Sequence, residues 1–127
     1  MLSIEEMDTM LDEIATELPS EFYKELNGGI ILLPEAKLHN KSVGNDLYIL
    51  GEYHRDRSLG RFIAIYYGSF SNVYGHLSKE QLKEQLKHTI NHEFRHHLES
   101  LAGERELEIE DAHDIANYLN SKASRSK

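Results

Sequence analysis

Cysteine is absent from this chain of 127 residues. Its absence excludes a disulfide framework and any zinc site built on thiolates. It also fits a cytoplasmic location. Long apolar runs are missing too: the longest, Gly29-Ile30-Ile31-Leu32-Leu33, is far too short to span a bilayer. Positive charge is scarce. The net charge is −8 and no stretch is densely basic, which argues against nucleic acid or an anionic membrane as partner. Met1 to Glu13 is acidic and amphipathic, unlike a secretory signal. No repeat or linker divides the chain. One domain is expected over residues 1–120, with 121–127 as a frayed tail.

What is present reads as a mixture of helices and short strands. Ser3 and Glu6 have the spacing of a capping box, and Ile4, Met7, Leu11, Ile14 and Leu18 continue at helical intervals up to Pro19. Pro19-Ser20-Glu21 opens a second short helix carrying Phe22 and Leu26. Ile30 to Leu33 reads as a buried strand stopped by Pro34. Leu47 to Tyr53 and Phe62 to Tyr67 read as two further strands joined by Arg55 to Gly60 in a hairpin. Gly68 to Gly75 reads as a loop. Ser78 and Gln81 form a second capping box, opening a helix to about Leu101 with Gly103 as its stop. A last helix is expected from Glu108 to Leu119.

The long helix carries His92-Glu93-Phe94-Arg95-His96, an H-E-x-x-H string, with His97 behind it. Two histidines four apart on a helix stand one turn above each other, about 40° apart around the axis, so both imidazoles can reach one ion. Glu93 beside them suits a general base acting on water at that ion. Leu82, Leu86, Ile90, Phe94, Leu98 and Leu101 form an apolar stripe on roughly the opposite side. His97 falls toward that stripe, which suits a buried, hydrogen-bonded imidazole better than a ligand. His88 fits a group supporting the pair or a solvated side chain equally well. His39, His54, His76 and His113 read as surface histidines.

Four segments, taken in order, resemble the minimal zincins, small bacterial proteins described as zinc metallopeptidases. They are Leu18-Pro19-Ser20-Glu21-Phe22, Leu50-Gly51-Glu52-Tyr53, Ile63-Ala64-Ile65-Tyr66-Tyr67, and His88 through His97. The resemblance covers most of the chain. It implies a small α+β domain: an N-terminal helix, a short, mostly three-stranded sheet, the long metal helix and a C-terminal helix. It implies that His92 and His96 bind Zn2+ and that Glu93 is the general base in hydrolysing a peptide or protein substrate.

The family extends the motif as H-E-x-x-H-x-x-G-x-x-D, the Asp being a third ligand. Here those positions are Glu99 and Ala102, and Arg95 places a charge between Glu and His. Catalytic zinc takes three protein ligands and a water. Glu99, one turn beyond His96, is the leading third donor. Glu104, Glu106, Glu108 and Asp111 are the alternatives, and an ion pair of Glu99 with Arg95 is the plain structural one. Two imidazoles and a carboxylate suit zinc, and also manganese, cobalt or nickel. The strand Phe62 to Tyr67 is a candidate edge for an extended peptide. Tyr66 or Tyr67 is a candidate for stabilising the oxyanion, though both suit sheet packing better. A zincin-like scaffold that binds metal or a protein partner without hydrolysis is the alternative function. An acidic interaction domain with a chance motif is a third.

Overall fold

The computed structural model describes residues 1–41, 44 and 47–104. The helix expected over Glu108–Leu119, the tail, and the candidate donors Glu106, Glu108 and Asp111 lie outside the described residues. Helix α1 runs Ile4–Glu17. The Ser3 hydroxyl accepts the Glu6 N–H and the Glu6 carboxylate accepts the Ser3 N–H, so the capping box forms as its spacing predicts. The helix buries Met7, Met10, Leu11 and Ile14. After Pro19 the chain makes a single 3-10 turn, Ser20–Tyr23, which seats Phe22 in the core.

Five strands follow: β1 (Gly29–Leu33), β2 (Lys37–Leu38), β3 (Tyr48–Ile49), β4 (Gly51–Asp56) and β5 (Gly60–Tyr66). The main sheet has the order β1-β5-β4, with β1 parallel and β4 antiparallel to β5. β2 and β3 pair separately as an antiparallel ribbon. The strand expected over residues 47–53 is therefore two strands in different sheets, parted at Leu50. β2 carries no sequence signal because two residues show no alternation; its pairing is tertiary.

The β4–β5 hairpin closes where Asp56 Oδ2 accepts the N–H groups of Ser58 and Leu59 at 3.2 and 3.0 Å. Gly60, at φ +75°, supplies the left-handed residue that starts β5. β5 is bonded on both sides, and Ile63, Ala64 and Ile65 are buried. It is the centre of the sheet and has no free edge for a peptide, contrary to the expectation for residues 62–67. Among the described residues the open edge near the long helix is β4.

The segment Gly68 to Gly75 also differs from expectation. Its Gly, Ser and Asn content reads as a loop, yet all but Gly75 lies in helix α2, Tyr67–Tyr74, which also takes Tyr67 from the expected strand. Packing overrides propensity there: Phe70 is fully buried, and Ser69 Oγ accepts the Lys37 N–H at 2.9 Å. Helix α3 runs Lys79–Glu104, started by the Ser78–Gln81 capping box and continuing through Gly103, which does not stop it. Its stripe Leu82, Leu86, Ile90, Phe94, Leu98 and Leu101 is buried as the periodicity predicts. With α1, the 3-10 turn and the sheet it encloses one core, so the domain is a small α+β fold. Among the described residues no helix is long and apolar enough to cross a membrane.

Phe94 ties the motif to this core. Its ring lies 5.6 Å from Phe22 and 5.2 Å, edge-on, from Tyr23. Replacing it with alanine should cost about 3–5 kcal/mol of stability, read from urea unfolding. A loss below about 1 kcal/mol would contradict this packing.

Candidate metal centre

The motif occupies the middle of α3 and divides its residues among three directions. Phe94 and Leu98 enter the core. His92 and His96 face solvent, with their Nε2 atoms 3.2 Å apart and rings at 89°. Glu93 and His97 turn toward β4, and both are buried. The i,i+4 spacing thus brings the histidine pair together as expected, and a second i,i+4 pair lies beside it.

Tyr53 of β4 meets both members of that second pair. Its N–H is hydrogen-bonded by the Glu93 carboxyl. Its hydroxyl lies 2.8 Å from His97 Nδ1, while His97 Nε2 lies 2.8 Å from the Lys24 carbonyl. A carbonyl only accepts, so His97 donates from Nε2 and accepts the Tyr53 hydroxyl at Nδ1. Burial, ahead of the charge of Arg61, lowers the His97 pKa, so the ring is a neutral core histidine. That agrees with its place on the sequence wheel. Gly51 lets β4 come this close: a Cβ there would stand 3.0 Å from Thr89 Cγ2, three residues before His92.

The strand's parity explains why the Tyr53 N–H is available. Tyr66 N–H donates to the Leu50 carbonyl, and alternate residues of an antiparallel ladder face the neighbour. Glu52 and His54 therefore bond to β5, while Gly51, Tyr53 and Arg55 turn their backbone groups outward. Glu93 caps one of those outward groups.

Burial raises the Glu93 pKa to about 7, opposed by the Tyr53 N–H and reinforced by the nearby Glu52 charge. Partial desolvation in the cleft also lowers the pKa of the solvent-facing His92, helped by the charges of His96, Arg95 and His88 and opposed by Glu99. A depressed His92 is neutral, the form that binds a metal. His88 is exposed and acts on His92 only through charge.

His92, Glu93 and His96 line a cleft of about 770 Å³ whose walls include Glu52, Glu99 and His39. Sequence reasoning overlooked Glu52 and His39. Glu52 Oε1 receives Lys37 Nζ at 2.5 Å and the Tyr66 hydroxyl at 2.7 Å, with His54 Nε2 at 3.3 Å. Burial opposes ionisation of Glu52, but those hydrogen bonds and the Lys37 charge hold its pKa below the usual value. The Tyr66 hydroxyl is thereby committed to Glu52, and the Tyr67 hydroxyl donates to the Leu2 carbonyl. The oxyanion role weighed for these tyrosines has no unengaged hydroxyl to rest on. His39 reads as a surface histidine in the sequence; only the fold of β2 brings it to the cleft.

Do these residues fit a zinc ion? Two imidazole nitrogens about 2.0–2.1 Å from one ion at a tetrahedral angle stand about 3.3 Å apart. The observed 3.2 Å between His92 and His96 matches. Among the described residues, no three His, Asp or Glu side chains converge on one point, so Glu99 shares the cleft without closing a three-ligand set. Nor does an ion pair join Glu99 to Arg95 among the described residues.

Neither a scan against protein families nor a comparison with curated proteins gives a match. A solved structure does: a conserved hypothetical protein from Thermus thermophilus, 35% identical, with a TM-score of 0.70 over 81% of this chain and 100% of that one. The two share a small α+β fold. The chain belongs to the family of that conserved hypothetical protein.

The raised Glu93 pKa has a consequence for stability. Between the ordinary 4.5 and about 7, the folded state holds a proton on Glu93 that the unfolded chain has lost. Metal-free protein should lose stability as pH rises through that window, on the order of 1–3 kcal/mol from this group. In Glu93→Gln this share of the slope should vanish, as urea midpoints of both proteins across pH 4.5–7.5 would reveal. Identical slopes would rule out the buried, protonated carboxyl.

Proposed function

We propose that this protein is a zinc-dependent metallopeptidase of the minimal zincin type, with His92 and His96 as ligands and Glu93 as general base. The observation that carries the reading is the side-by-side placement of two helical pairs. One is a solvent-facing imidazole pair with nitrogens 3.2 Å apart, and the other includes a buried carboxyl held by a strand N–H. Zinc, when bound, supplies a Lewis acid that polarises a carbonyl and lowers the pKa of water. Glu93, with a pKa near neutrality, is matched to take a proton from water and return it to the leaving amine. The Tyr53 N–H fixes its carboxyl while it does so. Glu99 remains the proposed third ligand. The substrate is an extended peptide laid along the outward groups of β4, beside the Tyr53 N–H that Glu93 already occupies. A cytoplasmic setting belongs to the same proposal, in keeping with the cysteine-free sequence.

A second reading, a zincin-like module that binds metal or a protein without hydrolysis, is favoured by one observation. Where the family has Gly and the ligand Asp, this chain has Glu99 and Ala102.

Purified protein should bind one zinc per chain, and His92→Ala should lose it. Glu93→Gln should keep the zinc and lower cleavage of a peptide library by about 10²–10⁴-fold. Turnover that survives Glu93→Gln would sink the base assignment. Stoichiometric zinc without turnover on any peptide would select the second reading.

A further inference from the structure

His39 stands just after β2, and its backbone N–H donates to the Leu47 carbonyl at 2.8 Å, closing the loop that follows. Its side chain lines the cleft shared by His92, Glu93 and His96. Its Nδ1 accepts the Lys41 N–H at 3.0 Å. Among the described residues, Nε2 has no hydrogen-bond partner.

These facts fix what the ring can do. A nitrogen that accepts a backbone N–H must present its lone pair, so the neutral imidazole carries its proton on the other nitrogen. Metal binding through Nε2 needs a lone pair there, which the Lys41 hydrogen bond denies. His39 is therefore excluded as the missing third ligand, although it is a histidine in the right cleft. It offers the opposite function: an Nε2–H donor that has no partner among the described residues. Tyr53, the tyrosine that lines the cleft, offers no such donor, since its hydroxyl is bonded to His97, and the Tyr66 hydroxyl behind it is bonded to Glu52.

We infer that His39 is a catalytic residue whose Nε2–H hydrogen-bonds the substrate carbonyl oxygen and holds the negative charge that grows there when water adds. This rests on the peptidase reading above. The donor gives up no proton; it stabilises the oxyanion while Glu93 carries the proton between water and amine.

The full chain tests this in two measurements. Imidazole nitrogen NMR should show His39 protonated at Nε2 and bare at Nδ1, both before and after zinc is added, while the His92 and His96 signals move. A His39 signal that shifts to the metal-bound type would overturn the inference. In zinc-loaded protein, His39→Ala should keep one zinc, lower kcat about 10²-fold and leave KM within about threefold, with partial rescue by His39→Gln. Affinity for a short peptide phosphonate, a tetrahedral mimic of the hydrated amide, should fall by a similar factor. Unchanged kcat and unchanged phosphonate affinity would overturn the donor role while leaving the peptidase reading intact. If wild type cleaves no peptide, the peptidase reading fails and the phosphonate decides for His39. A His39-dependent affinity then retains the donor, and no binding or no dependence overturns it.

Discussion

The hydrogen-bonded seam between α3 and β4 is the constraint on which the rest of this structure depends. One strand residue, Tyr53, engages two helix residues a turn apart, its N–H with Glu93 and its hydroxyl with His97. His97 passes the link on to the Lys24 carbonyl, and so to the segment after the 3-10 turn. Each bond holds a polar group that burial would otherwise penalise. Together they set the rotation of α3 about its axis. That rotation decides that Phe94 and Leu98 enter the core and that His92 and His96 leave it.

The same seam sets the electrostatics of the cleft. Glu93 is charged only at a cost, because it is buried and lies near Glu52. Glu52 stays ionised, because Lys37 and Tyr66 both bond the same oxygen. Two carboxyls on one cleft thus have their ionisation pushed in opposite directions, one near neutrality and one below the ordinary range. A β2 lysine, a β5 tyrosine and a β4 carboxylate meet to produce this, so the small ribbon and the main sheet contribute to a site that the helix alone could not tune.

Much of this was legible in the sequence. Capping boxes at Ser3 and Ser78, the apolar stripes of α1 and α3, and the placing of His92 and His96 opposite the stripe depend on spacing along a single helix, which periodicity reports directly. The buried, hydrogen-bonded state of His97 follows from its angle around the same helix. The misreadings came where pairing or packing across the chain decides the outcome. Phe62 to Tyr67 is apolar enough for an edge or a centre, and only β1 joining on its far side makes it the centre. Gly68 to Gly75 looks like a loop until Phe70 finds the core. Glu52 and His39 carry no motif, because what makes them members of the site is the company that the fold brings them.

The buried Glu93 is the strongest physical argument for chemistry over mere scaffolding. A glutamine would bond the Tyr53 N–H through its amide oxygen without risking a buried charge. A structural module gains nothing from a carboxyl whose ionisation opposes folding near neutral pH. A general base gains from that same feature, since proton transfer is most effective when its pKa lies near the working pH. The group that weakens the fold there is thus the one best matched to moving a proton beside the His92–His96 pair, which is why the proposed base role rests on this side chain.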